Sequence, residues 1–438
     1  MLELTVSDWK EHYEKRRTTP REAVGVVKSG DRVVTGHACG EPRLFIDALI
    51  DRADELRDVE IVHVFTVGEA RYCLPEYKDS FRFNGMFANT ATRKAVWEGT
   101  ADYTPCYFHQ VPRLFQDGAL PVNVAMIVVS PPDNDGFVSL GISVDYAIQA
   151  VRAAEITIAE VNPNMPRTGP CSRIPVTDID YFVESELPLY TITPPGINEV
   201  AEKTGRHVAE LIRDGDCLQL GVGAIPEAVL EFLGGKRDLG IHTEMISDGV
   251  MTLAEKGVIT GARKTLHPGK IVLTFVMGTE RLYRWLDDNP MIDAHPVDYT
   301  NDPCVIAQND NMVAINSSIS VDLLGQASSE SIGPRQYSGV GGQVDFIRGA
   351  AASKGGRSII ALPATAKGGE VSRIVATLLP GQAVTPSRND VDYVVTEYGV
   401  AHLWGKTMRE RARALINIAA PKFRDSLERE CRSLYGWL

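Results

Sequence analysis

The chain has 438 residues, of which 44% are apolar and 23% are charged. This composition is typical of a globular protein with a large core and excludes a disordered or fibrous chain, while the length favours two or three domains. The 57 acidic and 45 basic side chains give a formal net charge of -12. Because an acidic surface repels phosphate backbones, and the densest basic stretch, at residues 15–17, is short, we expect no nucleic-acid binding.

Seven cysteines are scattered along the chain, and no two of them form a C-x-x-C pair. This spacing indicates neither a zinc site nor a disulfide framework, so we expect no metal and a reducing compartment. The first residues are charged and lack the apolar core of a signal peptide, and no apolar run approaches the ~20 residues that span a bilayer. The sequence therefore predicts a cytoplasmic protein that does not bind membranes.

Apolar β-branched runs alternate with helical patterns and predict an α/β architecture with largely parallel, covered sheets. In the first half, predicted strands lie at 32–35, 61–67, 122–129 and 156–161, with predicted helices at 20–28 and 42–56. In the second half, predicted strands lie at 217–220, 270–277, 312–315, 358–362 and 393–396, with predicted helices at 197–214, 225–232, 280–287 and 407–419.

The two halves share a sequence pattern. A shift of 185 residues superimposes Gly30 on Gly215 and Gly36 on Gly221, together with the apolar pattern of the preceding helix. This period is much too long for a solenoid, so it indicates two similar α/β halves. Prolines in the segment 187–196 mark the linker. We expect an N-terminal α/β domain at 1–190 and a C-terminal α/β domain at 191–438.

A glycine loop in the second half is a candidate anion site. Gly221, Val222, Gly223 and Ala224 follow a predicted strand and open a predicted helix, where bare backbone N–H groups can bind a pyrophosphate. Pro226 replaces the third glycine of the dinucleotide fingerprint, so an NAD enzyme is disfavoured. A tight strand-to-helix turn without a ligand is the alternative.

Two further loops carry glycines. Gly341 and Gly342 belong to SGVGGQVDF, in which three glycines in four residues precede a strand-like pattern. Adjacent N–H groups there could form an oxyanion pocket, or the segment could be a flexible surface loop. Lys367 and Gly368 begin a third loop, which could grip a phosphate or an adenine-bearing tail, although a lone lysine is more often solvated.

The loop after the first strand contains His37, Cys39 and Glu41. Neighbours in a loop do not necessarily face each other, so we discount a Cys/His nucleophile pair. His37 or Glu41 could line a substrate pocket, and a capping role is the alternative for Glu41.

Glu244 is the strongest candidate for chemistry, because it falls in a strand-like stretch where a glutamate is compositionally out of place. A partly desolvated, oriented carboxylate can act as a covalent nucleophile. A structural pairing of this carboxylate is the alternative, and the residues alone leave the two open.

Seven motifs in order along the chain resemble one family: GHACGEP, YTPCYF, GVGAIPEAV, HTEMISDGV, YTND, SGVGGQVDF and TEYGVAHLWGKT. They are similar to the acetyl-CoA hydrolase/transferase family, and within it most similar to the 4-hydroxybutyrate CoA-transferases. The resemblance implies two similar open α/β domains of the NagB/RpiA/CoA-transferase type.

The resemblance also implies an activity. The enzyme would move CoA from an acyl-CoA to a small free carboxylic acid, for example between acetyl-CoA and 4-hydroxybutyrate or butyrate, through a glutamyl-CoA thioester. An acyl-CoA hydrolase, or an itaconate or succinyl-CoA transferase, on the same scaffold is the alternative. No cofactor beyond the CoA or acyl-CoA substrate is implied, and a homodimer is expected.

The family's site residues can be placed on this sequence by its motifs. Glu244 matches the nucleophile, and the backbone N–H of Gly342 together with Asn301, taken to follow a tyrosine-containing strand, matches the oxyanion stabilisers. Glu397 matches a polar active-site residue that orients the nucleophile or the acceptor. The implied CoA contacts are Gly221, Val222, Gly223, Ala224, Gly341 and Gly342, and less directly Lys367 and Gly368.

Overall fold

The computed structural model describes residues 6–437, and its internal contacts divide the chain into two compact units. Unit 1 is Met1–Ile192 with Val272–Thr300, and unit 2 is Thr193–Ile271 with Asn301–Leu438. The segment Val272–Thr300 therefore belongs by contact to the first unit, although the sequence-based boundaries assign it to the second domain.

Residues 6–192, the described part of unit 1 before residue 193, contain nine strands and six α-helices. The strands are β1 (Arg32–Thr35), β2 (Val59–His63), β3 (Phe81–Gly85), β4 (Asp102–Tyr103), β5 (Val124–Val129), β6 (Phe137–Ser139), β7 (Ile156–Val161), β8 (Arg173–Pro175) and β9 (Tyr181–Glu184). The helices are α1 (Val6–Arg16), α2 (Pro20–Ala23), α3 (Arg43–Ile50), α4 (Arg93–Glu98), α5 (Val111–Gln116) and α6 (Ala147–Ala153). Seven of these strands form one parallel sheet in the order β4-β3-β2-β1-β5-β7-β9.

The rest of the chain contains seventeen strands within the described residues. They are β10 (Cys217–Leu220), β11 (Gly240–His242), β12 (Met245–Ile246), β13 (Ile271–Leu273), β14 (Phe275–Val276), β15 (Ile292–Ala294), β16 (Met312–Asn316), β17 (Ser320–Asp322), β18 (Ala327–Ser328), β19 (Ser331–Ile332), β20 (Arg335–Gln336), β21 (Arg357–Ala361), β22 (Thr365–Ala366), β23 (Val371–Ser372), β24 (Ile374–Val375), β25 (Tyr393–Thr396) and β26 (Gly399–His402). The helices are α7 (Glu199–Glu210), α8 (Ala224–Phe232), α9 (Asp248–Glu255), α10 (Glu280–Leu286), α11 (Val297–Thr300), α12 (Pro303–Ile306), α13 (Gln343–Ala352), α14 (Met408–Ile418) and α15 (Pro421–Tyr435).

The two units repeat the same strand order. In unit 2 the strands pair as β11-β10-β16-β21-β25 in parallel, with β26 antiparallel at the edge. Unit 1 has the matching order β2-β1-β5-β7-β9, and the 185-residue shift carries β1 onto β10. This repeated topology confirms the expected pair of similar α/β domains.

The central strands are apolar because both faces of each sheet are covered. Every residue of β5 and of β10 is buried, and such strands read as continuous apolar runs rather than as alternating patterns. On one face of the unit 2 sheet, α7 packs against α8 at Gly205, where an added Cβ would lie 2.7 Å from the Cβ of Ala228. A larger side chain at position 205 would separate the two helices.

The predicted elements agree with the structure where the apolar runs are short and bounded. The predicted strands 32–35, 156–161, 217–220 and 393–396 match β1, β7, β10 and β25. The predicted strand 270–277 is instead two short strands interrupted at Thr274, and the strand-like pattern after SGVGG is helix α13. That prediction was wrong because α13 is buried on nearly every face, so its residues show no helical alternation of apolar and polar positions. Across residues 6–437, every helix falls short of the length and apolarity that crossing a bilayer requires.

A buried ion pair within unit 2 yields a stability prediction. A guanidinium nitrogen of Arg357 on β21 contacts a carboxylate oxygen of Asp216, and both side chains are buried. Removing one partner leaves an uncompensated charge in the core, so Asp216→Ala should lower the free energy of unfolding by about 3–5 kcal/mol. Urea unfolding followed by circular dichroism measures this loss. Lys203→Ala, which removes the exposed α7 pair with Glu199, is the control and should change stability by less than about 1 kcal/mol.

Candidate active site

Glu244 lies just beyond the carboxyl end of β11, which pairs in parallel with β10. It occupies a bend between β11 and β12, so the expectation that it sits inside a strand is corrected. The Thr243 hydroxyl fixes the bend, because it lies 3.3 Å from the carbonyl oxygen of Leu220 and 3.0 Å from that of Met245, within hydrogen-bond distance of both. Residues that follow the carboxyl ends of strands in open α/β sheets face the crevice where ligands bind.

The Glu244 carboxylate is held by two donors. The side-chain amide nitrogen of Asn301 donates to Oε2 at 3.0 Å, and the backbone N–H of Gly342 also donates to the carboxylate. Gly342 is the N-cap of α13, so the carboxylate lies at the positive end of a ten-residue helix.

Position 342 requires a glycine because there is no room for a side chain, and not because of its backbone conformation. Its φ of -90° is open to any residue, but an added Cβ would collide with Glu244 Oε2 and with the Asn301 amide nitrogen. The preceding Gly341, by contrast, has a φ of 51°, in the left-handed region that favours glycine. Gly341 therefore allows a left-handed backbone conformation, and Gly342 leaves room for the Glu244 carboxylate in the same loop.

The environment of Glu244 makes its carboxylate less acidic than usual. Burial raises the pKa of Glu244 to about 7, and the negative charge of Asp345 in the first turn of α13 acts in the same direction. The hydrogen bonds from Asn301 and Gly342 lower this pKa but only partly offset the desolvation. The side chain keeps some exposure, so near neutral pH it presents a poorly solvated carboxylate to a ligand.

Asn301 is completely buried and immediately follows helix α11, so the expected strand before it is not present. Its side-chain oxygen has no hydrogen-bond partner within residues 6–437. Asp302 caps α12 by accepting the N–H of Cys304 at 2.7 Å, which fixes the backbone next to Asn301. The amide nitrogen is thereby oriented toward Glu244.

Glu397 lies in the turn between β25 and β26, and it accepts the backbone N–H of Ala364 at 2.8 Å. Ala364 follows β21, so Glu397 is anchored at the carboxyl ends of two neighbouring strands of the unit 2 sheet. The described contacts of Glu397 do not include Glu244.

The predicted CoA loops lie at other points of unit 2. The loop of Gly221, Val222, Gly223 and Ala224 connects β10 to α8, with Gly223 at a φ of 126° and the Val222 side chain 48% exposed. Lys367 and Gly368 are exposed at the tip of the β22–β23 hairpin. The structure therefore joins Glu244, Asn301 and Gly342 by contact, and it places these two loops outside that cluster.

Asp345 also belongs to the cluster, although its role is not evident from the sequence. It is buried in the first turn of α13, directly after the glycine loop. An acidic residue in a first helical turn is a recognisable N-terminal signal, but the strand-like pattern of this segment conceals the helix to which the signal belongs.

The His37 loop is buried in unit 1. His37 Nδ1 lies 3.5 Å from a carboxylate oxygen of Asp145, and the ring of Phe275 packs 4.5 Å from the imidazole. Glu41 accepts the Thr66 hydroxyl and the Gly68 N–H, so its carboxylate is anchored within unit 1. Burial raises the pKa of Glu41, and these contacts oppose that rise.

Comparison with known proteins identifies the family. Residues 1–192 match the acetyl-CoA hydrolase/transferase N-terminal domain, and residues 278–431 match the C-terminal domain of the same family. The chain belongs to the acetyl-CoA hydrolase/transferase family. This confirms the resemblance found in the motifs.

Several known proteins are similar to the chain over nearly all of its length. It is 55% identical to 4-hydroxybutyrate coenzyme A transferase of Clostridium kluyveri, covering 98% of this chain and 100% of that one. Among solved structures, RipA from Yersinia pestis is 39% identical with a TM-score of 0.93, covering 98% of this chain and 99% of RipA. The 4-hydroxybutyrate CoA-transferase of Porphyromonas gingivalis is 42% identical with a TM-score of 0.84, covering 98% and 100%.

The raised pKa of Glu244 predicts a pH dependence of stability. An acid whose pKa is higher in the folded than in the unfolded chain stabilises the fold below the unfolded value, and this contribution is lost as the pH rises through the folded value. Between pH 4.5 and about 7, the free energy of unfolding of the unmodified protein should therefore fall by up to about 3 kcal/mol more than that of Glu244→Gln. Urea titrations across this pH range measure the difference. Glu428→Gln on the exposed face of α15 is the control, and a Glu244→Gln profile identical to the unmodified one contradicts the prediction.

Proposed function

We propose that the protein is a CoA-transferase that moves CoA from an acyl-CoA to a free carboxylate, with Glu244 as the nucleophile. The observation that supports this proposal most directly is the partly buried Glu244 carboxylate, which Asn301 and Gly342 hold at the N-terminus of α13. The names of two similar family members, both 4-hydroxybutyrate CoA-transferases, support acetyl-CoA with 4-hydroxybutyrate or butyrate as the substrate pair.

The reaction proceeds in two covalent stages. A carboxylate oxygen of Glu244 attacks the thioester carbonyl, the C–S bond breaks, and CoA leaves as the thiolate with the electron pair. The thiolate then attacks the Glu244 carbonyl carbon of the resulting anhydride, which breaks the C–O bond and releases the first acid as a carboxylate. The acceptor carboxylate reverses both steps on the glutamyl-CoA thioester, so no net proton is transferred and ping-pong kinetics follow.

The two donors to Glu244 suit this sequence of steps. Asn301 donates to Oε2, and Gly342 packs against the same oxygen, which leaves Oε1 to attack the thioester. Once Oε1 carries the acyl group, Oε2 becomes the carbonyl oxygen of the anhydride. Attack by the thiolate then places negative charge on Oε2, where the two donors already point, and preorganised donors of this kind lower the barrier.

The remaining site residues have supporting roles in the proposal. Glu397 orients the nucleophile or the acceptor from the β25–β26 turn. The CoA contacts come from Gly221, Val222, Gly223, Ala224, Gly341 and Gly342, with Lys367 and Gly368 toward the far end of the CoA molecule. The C-terminal domain, residues 191–438, carries this machinery. No metal or redox cofactor enters the chemistry.

The cellular setting is also part of the proposal. All seven cysteines are free thiols in the structure, which supports a reducing, cytoplasmic location. We also propose a homodimer on the family resemblance.

An acyl-CoA hydrolase is the second candidate, because the family includes hydrolases as well as transferases. Water would then replace the acceptor acid at the glutamyl thioester. For a transferase, consumption of acetyl-CoA should depend on added butyrate or 4-hydroxybutyrate and should yield acetate and the CoA ester of the added acid, whereas free CoA formed at the full rate without any added acid supports the hydrolase. Itaconate and succinate as acceptors test the remaining transferase alternatives.

Removing the nucleophile should separate catalysis from binding. Glu244→Ala and Glu244→Gln should each lose transfer by at least about 10⁴-fold, since the covalent route is closed. CoA affinity, measured by calorimetry, should stay within a few fold of the unmodified protein. Transfer that persists at a tenth of the original rate rules out the covalent role of Glu244.

A methyl group at position 342 should displace the nucleophile. Gly342→Ala places a Cβ against Glu244 and Asn301, so we expect the transfer rate to fall by about 10²–10³-fold, as for loss of one oxyanion donor. Gly234→Ala is the matched control, because Gly234 has open space around its Cα and is exposed. Equal transfer rates for the two variants contradict the proposed contact.

A further inference from the structure

Asp345 lies in the first turn of α13, between two residues that contact the segment of Glu244. Gly342, three residues earlier, donates its backbone N–H to the Glu244 carboxylate, and residues three apart in a helix are neighbours on one face. Phe346, the next residue, packs its ring against the ring of His242, with the centroids 6.2 Å apart. His242 ends β11 two residues before Glu244. The turn that carries Asp345 is therefore packed against residues 242–244.

Two further contacts fix this turn in place. The side-chain nitrogen of Gln343 donates to the carbonyl oxygen of Ser317 at 2.8 Å, which ties the start of α13 to the segment after β16. One turn further along, Gly349 packs directly against Ile306 of α12. Asp345 itself is 1% exposed, so neither water nor a change of rotamer into solvent removes its charge from the site.

The charge of Asp345 opposes the charge of Glu244. It raises the pKa of Glu244 in addition to the effect of burial, whereas the donors Asn301 and Gly342 lower that pKa. Two like charges in a poorly solvated interior repel each other more strongly than they do in water. An acidic residue in a first helical turn also stabilises its helix, and the N-cap Gly342 offers no side chain for that purpose. The experiment must separate this structural role from an effect on Glu244.

We propose that Asp345 is a positioning residue that favours the covalent glutamyl-CoA form of Glu244 over its free carboxylate. This inference rests on the proposed function. In the first half of the reaction, the Glu244 carboxylate and acetyl-CoA become the glutamyl-CoA thioester and acetate. The bond between the acetyl carbon and sulfur breaks, a bond between the Glu244 carbonyl carbon and sulfur forms, and one Glu244 oxygen departs in the acetate. The negative charge leaves with the acetate, so the repulsion by Asp345 is relieved in the covalent form.

The same repulsion suits the nucleophile for attack. Asn301, Gly342 and the N-terminus of α13 all stabilise the Glu244 carboxylate, and a carboxylate that is stabilised only in the ground state reacts more slowly. Asp345 destabilises the carboxylate before attack more than the transition state, in which part of the charge has moved to the thioester oxygen. One buried acid therefore shifts the rate of attack and the position of the equilibrium in the same direction.

The test measures the equilibrium between free and covalently modified protein. Each protein is incubated with acetyl-CoA and acetate at a ratio that converts about half of the unmodified protein, then quenched with acid and analysed by intact-mass spectrometry. Asp345→Asn removes the charge at constant shape and should lower the ratio of adduct to free protein by about 10-fold. Asp345→Glu keeps the charge and should restore most of the adduct. Glu199→Gln, which removes an exposed acid from the first turn of α7, is the matched control and should leave the ratio unchanged.

Two outcomes overturn the inference. A ratio in Asp345→Asn equal to that of the unmodified protein, even when it is reached more slowly, assigns Asp345 a structural role in α13. An equal fall of the ratio in Asp345→Asn and Asp345→Glu assigns the effect to shape rather than charge. Where Asp345→Asn does not fold, Asp345→Ser, which is also neutral and suits a helix N-terminus, is judged by the same criteria. Absence of any adduct on the unmodified protein is a failure of the proposed function, which is distinguishable because it precedes the comparison of variants.

Discussion

The contact between the Glu244 carboxylate and the start of α13 is the interaction on which the site depends. It combines an unfavourable term, the desolvation of a carboxylate, with two directed donors and a helix terminus that favour the charge. The balance leaves a carboxylate that is ionisable near neutral pH yet poorly solvated. Such a group is a better nucleophile than a carboxylate in water, and in the proposed mechanism it would meet its oxyanion donors without moving.

The fold makes this contact possible through its parallel sheet. Adjacent parallel strands end at the same edge, so the bend after β11, the segment after β16 and the turn after β25 lie on one side of the unit 2 sheet. The corresponding position in the unit 1 sheet is not a carboxylate. Phe65 stands two residues beyond the end of β2, as Glu244 stands two residues beyond the end of β11. The duplicated architecture thus holds the proposed nucleophile in one of its two halves.

Much of this arrangement follows from the sequence, and the exceptions have physical causes. The buried β-branched runs and the 185-residue repeat predict both sheets, because covered parallel strands must be continuously apolar. Glu244 and Gly342 are recognisable by their motifs, but their contact is not, since it depends on the packing of segments a hundred residues apart. Helix α13 was misread as a strand because burial removes the helical periodicity, and Asp345 was missed with it. The position of Asn301 directly after a helix could not be predicted from the sequence either, because a helix as short as α11 shows little periodicity of apolar residues.

Intact-mass and peptide mass spectrometry of the protein incubated with acetyl-CoA, without an acceptor acid, tests the central role of Glu244 most directly. The account predicts a CoA-sized mass increase that maps to the peptide containing Glu244 and disappears on addition of butyrate. An adduct on another residue, or rapid transfer with no adduct on that peptide under trapping conditions, contradicts it.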